Sequence, residues 1–351
     1  MIAVTGGTGL LGGHLLSKLL IQGYSVKALK RSTSSTTLLR KILSYYSDTP
    51  DQYMENIEWH TGDITNIISL EDFLEEGDQV FHCAGYVSFE RAKRNLIHLV
   101  NVEGTTNVVN AALMKNINKL VFSSSTAAIG RADKDGVIHE NSQWKNSKSN
   151  SYYAVSKMLA EREVWRGQME GLKTAIVNPG IILGAGPWDS GSSKLFSKVS
   201  EGLRYYTSGV NGYVDVRDVV DVMIQLMQSD IQRERFLLIS ENIDYKSLFS
   251  QIATHLNVDP PAIKANAFMA EVVWRLDAIK SFITGQSPVI TKETARTALN
   301  QHFYSGKKIT SYIDFRYRPI KQTIADTAHL FKQDNASLSS TDNPHNQTNQ
   351  Q

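Results

Sequence analysis

The sequence predicts an α/β fold in which helices cover both faces of an open, doubly wound parallel sheet. Three observations predict it. Short apolar runs alternate with longer helical patterns up to about Asn178, a glycine-rich turn directly follows the first run, and hydroxyl side chains follow a later one. Helical crossovers of this length connect parallel strands. The predicted strands are Ile2–Thr5, Val26–Leu29, Ile57–His60, Val80–Ala84, Leu120–Ser123 and Thr174–Asn178.

The alternation stops at a Gly/Pro-rich stretch, Asn178–Ser193, where we expect the chain to leave the sheet. We predict a first domain at residues 1–180, with segments at about 211–240 that return to its sheet as a strand, a helix and another strand. Residues 181–210 and 241–333 are assigned to a smaller, mostly helical C-terminal lobe, interleaved with the first domain. The polar stretch 334–351 has little to bury, so we expect it to be disordered.

Composition excludes several classes of protein. The chain has 351 residues, of which 41% are hydrophobic and 21% charged, and a net charge of +2, so neither nucleic acid nor a membrane surface is expected as a partner. The apolar stretch Ala267–Ile283 carries charges and is too short to span a bilayer, so it predicts an amphipathic helix. The first strand leaves no room for a cleavable signal, so we expect a cytoplasmic protein. Cys83, the single cysteine, is expected to be a buried, inert thiol, and no metal site is predicted.

Glycines at positions 6, 9 and 12 stand between the first strand and an amphipathic helix. In this context Gly6 permits a tight turn, Gly9 lets backbone amides approach a pyrophosphate, and Gly12 lets the helix pack closely on the strand. The pattern predicts a Rossmann-type dinucleotide-binding domain. The alternative is that the glycines serve only a tight connection.

The end of the second predicted strand favours NADP over NAD. An enzyme that selects NAD usually has an acidic residue there for the ribose hydroxyls, whereas this chain reads LKRSTSS, with Lys30 and Arg31. Arg31 is the candidate for a 2′-phosphate. The alternative is a basic side chain that stacks on the adenine in an enzyme using either cofactor. Asp63, after the third strand, is a candidate for the adenine amino group or a turn cap.

Tyr153 and Lys157 are four residues apart in a helical stretch, so they share one face, whereas Tyr152 pairs with Ser156. Such pairs are common on protein surfaces, so other features must decide. The fifth strand ends in SSS, which places hydroxyl groups at the carboxyl edge of the sheet, where doubly wound folds bind ligands.

The order of glycine loop, serine cluster and Tyr-x-x-x-Lys resembles that of the extended short-chain dehydrogenases/reductases, the NAD-dependent epimerase/dehydratase family. Within that family the chain is most similar to the dihydroflavonol-4-reductase and 3β-hydroxysteroid-dehydrogenase-like group. The motifs that carry the resemblance span residues 1 to about 220 and are TGGTGLLG, GDI, HCAG, NVEGTTNVVNAA, SSS, YAVSK, VNPGIILG and YVDVRDVV.

The resemblance implies that Ser125 positions a carbonyl group, that Tyr153 is the proton donor, and that Lys157 binds the nicotinamide ribose. Asn101 matches an asparagine of the family, with helix packing as the alternative. The implied cofactor contacts are Gly6, Gly9, Leu10, Leu11, Gly12, Arg31, Asp63, Ile64, Ala84, Gly85, Ser123, Tyr153, Lys157, Pro179 and Ile181.

A tyrosine that exchanges protons near neutral pH needs a lowered pKa. Moving it from about 10 to about 7 takes roughly 4 kcal/mol. An ammonium about 4 Å away supplies about 1 kcal/mol in water and about 4 kcal/mol at an effective dielectric near 20. We therefore expect Lys157 to lower the pKa of Tyr153 only in a site shielded by the cofactor and the second lobe.

Three functions are compatible with these residues. The leading hypothesis is an NADP-dependent reductase of a hydrophobic ketone or aldehyde, or the reverse dehydrogenase. The alternative is a nucleotide-sugar epimerase or dehydratase with retained NAD. It is disfavoured because Thr126, Ala127 and Ala128 stand where dehydratases carry an acid, and because TAIVNP lacks the arginine common in epimerases. The third is a non-catalytic NADP-binding sensor or scaffold, which the intact Ser, Tyr and Lys disfavour.

The substrate itself is not predicted beyond a small carbonyl or alcohol compound in an apolar, aromatic pocket. Oligomeric state is left open, with a homodimer through the helices at Asn95–Lys115 and Ser151–Gly171 as the arrangement the resemblance suggests. The residues predicted to line the pocket, each with packing as its alternative role, are Tyr86, Val87, Ser88, Phe89, Asn178, Trp188 and part of the predicted helix at 267–283.

Overall fold

The computed structural model describes residues 1–341 except 131, 133–135, 148–149, 267, 270, 273, 278–290 and 292–296. Most of the helix predicted at 267–283 therefore lies outside the described residues. The strands are β1 Ile2–Thr5, β2 Val26–Lys30, β3 Ile57–Thr61, β4 Gln79–His82, β5 Lys119–Ser123, β6 Val137–Ile138, β7 Thr174–Pro179, β8 Ile181–Leu183, β9 Tyr205–Tyr206, β10 Val210–Asp215, β11 Glu234–Leu238, β12 Glu241–Asp244, β13 Ile263–Lys264 and β14 Phe303–Tyr304.

The helices connect these strands in the alternating pattern of a doubly wound fold. They are α1 Leu10–Ile21, α2 Thr37–Ser44, α3 Pro50–Glu55, α4 Ile67–Phe73, α5 Arg94–His98, α6 Gly104–Met114, α7 Tyr152–Met169, α8 Lys194–Ser200, α9 Val216–Gln228, α10 Tyr245–Leu256 and α11 Ile320–Thr341. A π-helical segment, Leu99–Glu103, joins α5 to α6.

The central sheet has seven parallel strands in the order β11-β7-β5-β4-β1-β2-β3. The six strands predicted from the first half of the sequence are all present in it. The chain winds outward in opposite directions from β1 and β4, so the crevice between their carboxyl ends is the switch point at which such sheets bind ligands. This confirms the predicted α/β fold class.

Apolar residues cover both faces of the sheet. One core cluster joins α1, α2 and α9 to the sheet, with Leu15, Leu16 and Met223 fully buried. The cluster on the opposite face joins α4, α6 and α7, and includes Val108 and Val164. The two helical layers hold the strand ends in place, which positions the loops at the carboxyl edge.

A second, three-stranded sheet has the order β12-β10-β8 and packs with α8, α10 and α11 around its own apolar cluster. The prediction that a strand near Gly212 returns to the central sheet is wrong, because β10 pairs with β8 and β12 instead. A Cβ on Gly180 would lie 2.3 Å from the Gly212 carbonyl oxygen, so glycine permits the close approach that diverts the chain after β7. Only the helix α9 and the strand β11 of this segment return to the central fold.

The expectation of disorder from residue 334 is wrong for 334–341, because α11 extends to Thr341. Asp334 is buried and accepts hydrogen bonds from the Tyr45 hydroxyl at 2.6 Å and the Trp188 indole at 2.7 Å. These contacts hold the end of the helix, and residues 342–351 lie outside the described part of the chain. Among the described residues, no helix has the length and apolar character needed to cross a bilayer.

Candidate active site

The glycine turn after β1 is held by close backbone contacts. Gly6 has φ of +77°, a conformation in which a Cβ is strained, and a Cβ there would lie 2.5 Å from the Ala84 nitrogen. A Cβ on Gly12 would lie 2.2 Å from the Gly6 carbonyl oxygen. Folding by itself therefore requires glycine at both positions, for the tight turn at Gly6 and for helix packing at Gly12.

Gly9, the residue before α1, is different. It is exposed, and a Cβ built on it would meet nothing nearer than the Gly6 carbonyl oxygen at 3.5 Å. The space in front of the helix is therefore open, and the first-turn N–H groups of Leu10 and Leu11 have no partners within the helix. An exposed helix N-terminus with free amides suits a pyrophosphate, so the loop fits a dinucleotide.

At the carboxyl end of β2, basic residues stand where an acid would select NAD. Arg31 is exposed, and its carbonyl accepts a hydrogen bond from the Ser34 N–H at 3.0 Å, which forms a tight turn. The Lys30 ammonium lies 5.7 Å from the centre of the Trp59 ring. Asp63 accepts from both the N–H and the hydroxyl of Thr65 at 2.9 Å, so the structure shows it as a turn cap.

The loop after β4 borders the same crevice. Asn101, in the π-helical segment, accepts from the Tyr86 N–H at 2.7 Å and donates to the Tyr86 carbonyl at 3.0 Å and to Ser156 at 2.9 Å. A Cβ on Gly85 would lie 3.9 Å from the Lys157 nitrogen, so glycine leaves room beside that ammonium. Cys83 is only partly buried, contrary to expectation, but burial of its sulfur raises the pKa of the thiol to about 12, which keeps it unreactive.

Ser125 and Tyr153 lie together at the carboxyl edge of the sheet. The Ser125 hydroxyl accepts a hydrogen bond from the Ala127 N–H at 3.1 Å. Burial raises the pKa of Tyr153 above its ordinary value, and the nearby Ser125 hydroxyl opposes that shift. Phe89 packs edge-on against the Tyr153 ring with centroids 5.8 Å apart. The phenol is therefore protonated at neutral pH and shielded on one side.

Lys157 is 5% exposed and lies one turn further along α7. Its ammonium donates to the Ser123 carbonyl at 2.9 Å and lies 4.6 Å from the centre of the Phe122 ring. Burial lowers the pKa of Lys157 to about 8, although the nearby Glu161 carboxylate acts in the opposite direction. The lysine is therefore mostly charged at pH 7 and close to losing that charge just above it.

Two predicted substrate residues have other roles in the structure. Asn178 is completely buried and donates to the Ser125 carbonyl at 3.0 Å, while its own carboxamide oxygen has no hydrogen-bond partner among the described residues. Trp188 packs edge-on against Phe331, with centroids 5.0 Å apart. Tyr86, Ser88 and Phe89 do lie on the loop beside the phenol, partly buried, and Val87 is exposed.

Sequence reasoning missed a buried group beneath this site. Glu161, one turn beyond Lys157, accepts hydrogen bonds from the Ser124 hydroxyl at 2.8 Å and from Asn178 at 2.7 Å. It also pairs with Arg235 at 2.8 Å. Glu161 stands four residues after Lys157, and this spacing indicates a shared helix face. Arg235 is distant in sequence, so no sequence pattern indicates that it pairs with Glu161.

Comparison with known proteins places the chain in a family. A model of the NAD dependent epimerase/dehydratase family matches residues 2–238. A Synechocystis protein provisionally named dihydroflavonol 4-reductase is 27% identical over 339 residues, which cover 94% of each chain. Cinnamoyl-CoA reductase 1 of Petunia hybrida is 27% identical over 68% of this chain and 72% of its own length.

Solved structures share the fold over nearly the whole chain. The structure titled gox2253 has a TM-score of 0.77 at 25% identity and covers 95% of this chain and 98% of its own. A UDP-N-acetylglucosamine 4-epimerase from Methanobrevibacter ruminantium M1 has a TM-score of 0.74 at 19% identity, with the same coverage of both chains. At that identity the second likeness establishes the fold alone.

Proposed function

The chain belongs to the NAD-dependent epimerase/dehydratase family and is an NAD(P)-dependent oxidoreductase of the extended short-chain dehydrogenase/reductase type, and we propose that it reduces a ketone or aldehyde to an alcohol with NADPH. The same site would catalyse the reverse reaction, oxidation of the alcohol. The site residues in this proposal are Ser125, Tyr153 and Lys157, with the glycine loop and Arg31 holding the dinucleotide.

The observation that carries the proposal is the phenol of Tyr153, which packs against Phe89 beside Ser125, with Lys157 one turn further along α7. A hydroxyl and a phenol at one point supply two hydrogen bonds to a carbonyl oxygen, which orient and polarise it. Burial raises the pKa of Tyr153, so the phenol is protonated before the reaction, and proton donation would require the Lys157 ammonium to favour the phenolate.

The bound cofactor would supply a hydride to the carbonyl carbon. The C=O double bond becomes a C–O single bond as the Tyr153 hydroxyl gives its proton to the oxygen, and solvent then returns a proton to the phenolate. The Lys157 ammonium stabilises that phenolate and holds the cofactor ribose. Phe89, packed on the phenol, excludes water from one side of the reacting group.

Local sequence supports reduction over elimination. The short 3₁₀ turn Thr126–Ala128 follows Ser125 directly and carries no carboxylate that could remove a proton from a sugar ring. The reductase names of the relatives point the same way. The absence of an acid after β2, together with exposed Arg31, supports NADP as the preferred cofactor.

The second lobe supports a hydrophobic substrate. We assign it residues 181–210 and 241–333, together with the strand β10, which pairs with β8 and β12. Its strand β14 pairs with β6, which follows the Thr126–Ala128 turn. Tyr304 on β14 lies near Thr126, the neighbour of Ser125, and burial raises the pKa of Tyr304 to about 12. With Tyr86 and Phe89 on the other side, the reacting carbonyl would lie between aromatic rings.

A panel of hydrophobic ketones and aldehydes, offered with NADPH deuterated at the transferable position, tests the proposal. We expect cofactor oxidation and an alcohol that carries one deuterium on the former carbonyl carbon, detected by mass spectrometry. Interconversion of nucleotide sugars by a protein that retains NAD through purification would contradict it. So would cofactor that stays reduced with every member of the panel.

A further inference from the structure

Glu161 is a buried carboxylate whose two oxygens face different neighbours. Its side chain is 3% exposed. Oε2 accepts from the Ser124 hydroxyl at 2.8 Å and from the Asn178 amide at 2.7 Å. Oε1 accepts from Arg235 at 2.8 Å and from the Trp165 indole at 3.4 Å. Each oxygen of this carboxylate therefore accepts two hydrogen bonds.

The Oε2 side connects directly to the residues that carry the carbonyl site. Ser124 precedes Ser125, and Asn178 uses the same amide nitrogen to donate to the Ser125 carbonyl at 3.0 Å. The carboxylate therefore joins α7, which carries Tyr153 and Lys157, to the ends of β5 and β7. Movement of any of these three elements would break one of its hydrogen bonds.

The Oε1 side holds the charge in place. Arg235, on the edge strand β11, pairs with the carboxylate and also donates through its Nε to the Glu140 carbonyl at 2.9 Å. The guanidinium is thus fixed on the side away from Ser124, and the donors on the other side are neutral. The carboxylate lies one helical turn beyond Lys157 on α7.

We propose that Glu161 is a positioning residue for the carbonyl site, which holds the ends of β5 and β7 against α7 and places a carboxylate one turn from Lys157. This proposal rests on the proposed function of Lys157 in holding the cofactor. One buried carboxylate would thus fix the position of Ser125 and favour the charged form of Lys157.

The sign of the effect follows from the groups around Lys157. These are His82 and Cys83 at the end of β4, Tyr153 and Glu161 on α7, and the Ser123 carbonyl on β5. Of these, Glu161 carries the anionic charge that favours the ammonium, against the burial that lowers its pKa to about 8. Without that charge the lysine would lose its proton at a lower pH.

The test is the affinity for NADPH, measured by titration from pH 6.5 to pH 10 without any carbonyl compound. Wild-type affinity should hold up to about pH 8 and then fall. In Glu161→Gln the fall should begin about one pH unit lower or more. Glu163→Gln is the matched control, because Glu163 lies on the same helix but pairs with Arg166 at 2.9 Å. It should follow the wild type.

A second variant keeps the test informative if Glu161→Gln does not fold. The double variant Glu161→Gln/Arg235→Gln removes both charges and leaves no unpaired ion, and its affinity should fall at the same lowered pH. A wild-type profile in either folded variant would overturn the proposal, as would a wild-type affinity that does not change with pH. If wild type bound neither NADPH nor NADH, the proposed function itself would fail instead.

Discussion

Two adjacent tyrosines at the start of α7 have different surroundings. Tyr152 is 44% exposed, whereas Tyr153 is partly buried and packs against Phe89. Consecutive helical residues point about 100° apart, so only one of the pair faces the crevice. This single rotation decides which phenol is available to a carbonyl oxygen.

Arg31 should determine the choice of cofactor. Its exposed guanidinium can meet a 2′-phosphate through two hydrogen bonds, and no acid stands nearby to favour an unmodified ribose. We expect wild type to bind NADPH more tightly than NADH, and Arg31→Ala to lose at least tenfold in NADPH affinity, about 1.4 kcal/mol. Fluorescence titration of both cofactors measures this. Equal affinities in wild type would reject the assignment.

At this scale the sequence predicts some roles better than others. Tyr153 and Lys157 follow from helical spacing, because positions four apart share a face. Asn178 was wrongly expected to face the substrate, since alternation along β7 does not reveal that its side chain would meet Glu161. Pairs of residues distant in sequence, such as Glu161 and Arg235, come together only through the order of strands in the sheet.

Two glycines of the loop are expected to have different roles, Gly9 in cofactor binding and Gly12 in folding. Gly9→Ala should leave the fold intact, because the added methyl group enters open space, yet it should lower cofactor affinity at least tenfold by occupying the pyrophosphate position. Gly12→Ala should instead reduce the free energy of unfolding by about 2 kcal/mol, because its methyl group would meet the Gly6 carbonyl.

Urea denaturation measures the stability of both variants, and cofactor titration measures their affinity. Unchanged cofactor affinity in Gly9→Ala would remove the loop from the binding site. Stability equal to wild type in Gly12→Ala would show that helix and loop relax more easily than the contact distance implies.

Elements were predicted well where short apolar runs alternate with helical patterns. The six strands expected up to residue 178 are all found, because each is an apolar run bounded by a helix. The strand β10 was predicted in the wrong sheet, since its apolar residues resemble those of a central strand, whereas it pairs with β8 and β12. The π-helical segment that holds Asn101 has no signature in the apolar pattern.

At the scale of the whole molecule, two buried histidines make stability depend on pH. His14 contacts the Ala185 carbonyl and the Tyr46 hydroxyl, each at 2.8 Å, and burial lowers its pKa to about 4. His82 lies between Thr5 and Thr105, and burial lowers its pKa to about 3. Both stay neutral in the folded protein below the pH at which an unfolded histidine, with a pKa of about 6.5, takes up a proton.

The unfolded state therefore binds more protons between about pH 6.5 and pH 4, so stability is present above that window and falls as the pH drops through it. We expect the free energy of unfolding to be about 3 kcal/mol lower at pH 5 than at pH 7, measured by urea denaturation. His14→Gln should remove about half of that difference. A variant with the full wild-type difference would exclude His14 as a cause.

The central claim is that Tyr153 gives its proton to a carbonyl oxygen, and turnover of paired phenylalanine variants tests it most directly. Wild type, Tyr152→Phe and Tyr153→Phe are compared with NADPH and any carbonyl compound that wild type reduces, under identical conditions. We predict a loss of no more than a few-fold in Tyr152→Phe and at least about a hundredfold in Tyr153→Phe, about 2.7 kcal/mol of barrier. A Tyr153→Phe variant that keeps more than about a tenth of the wild-type rate, or a larger loss in Tyr152→Phe, would contradict the account.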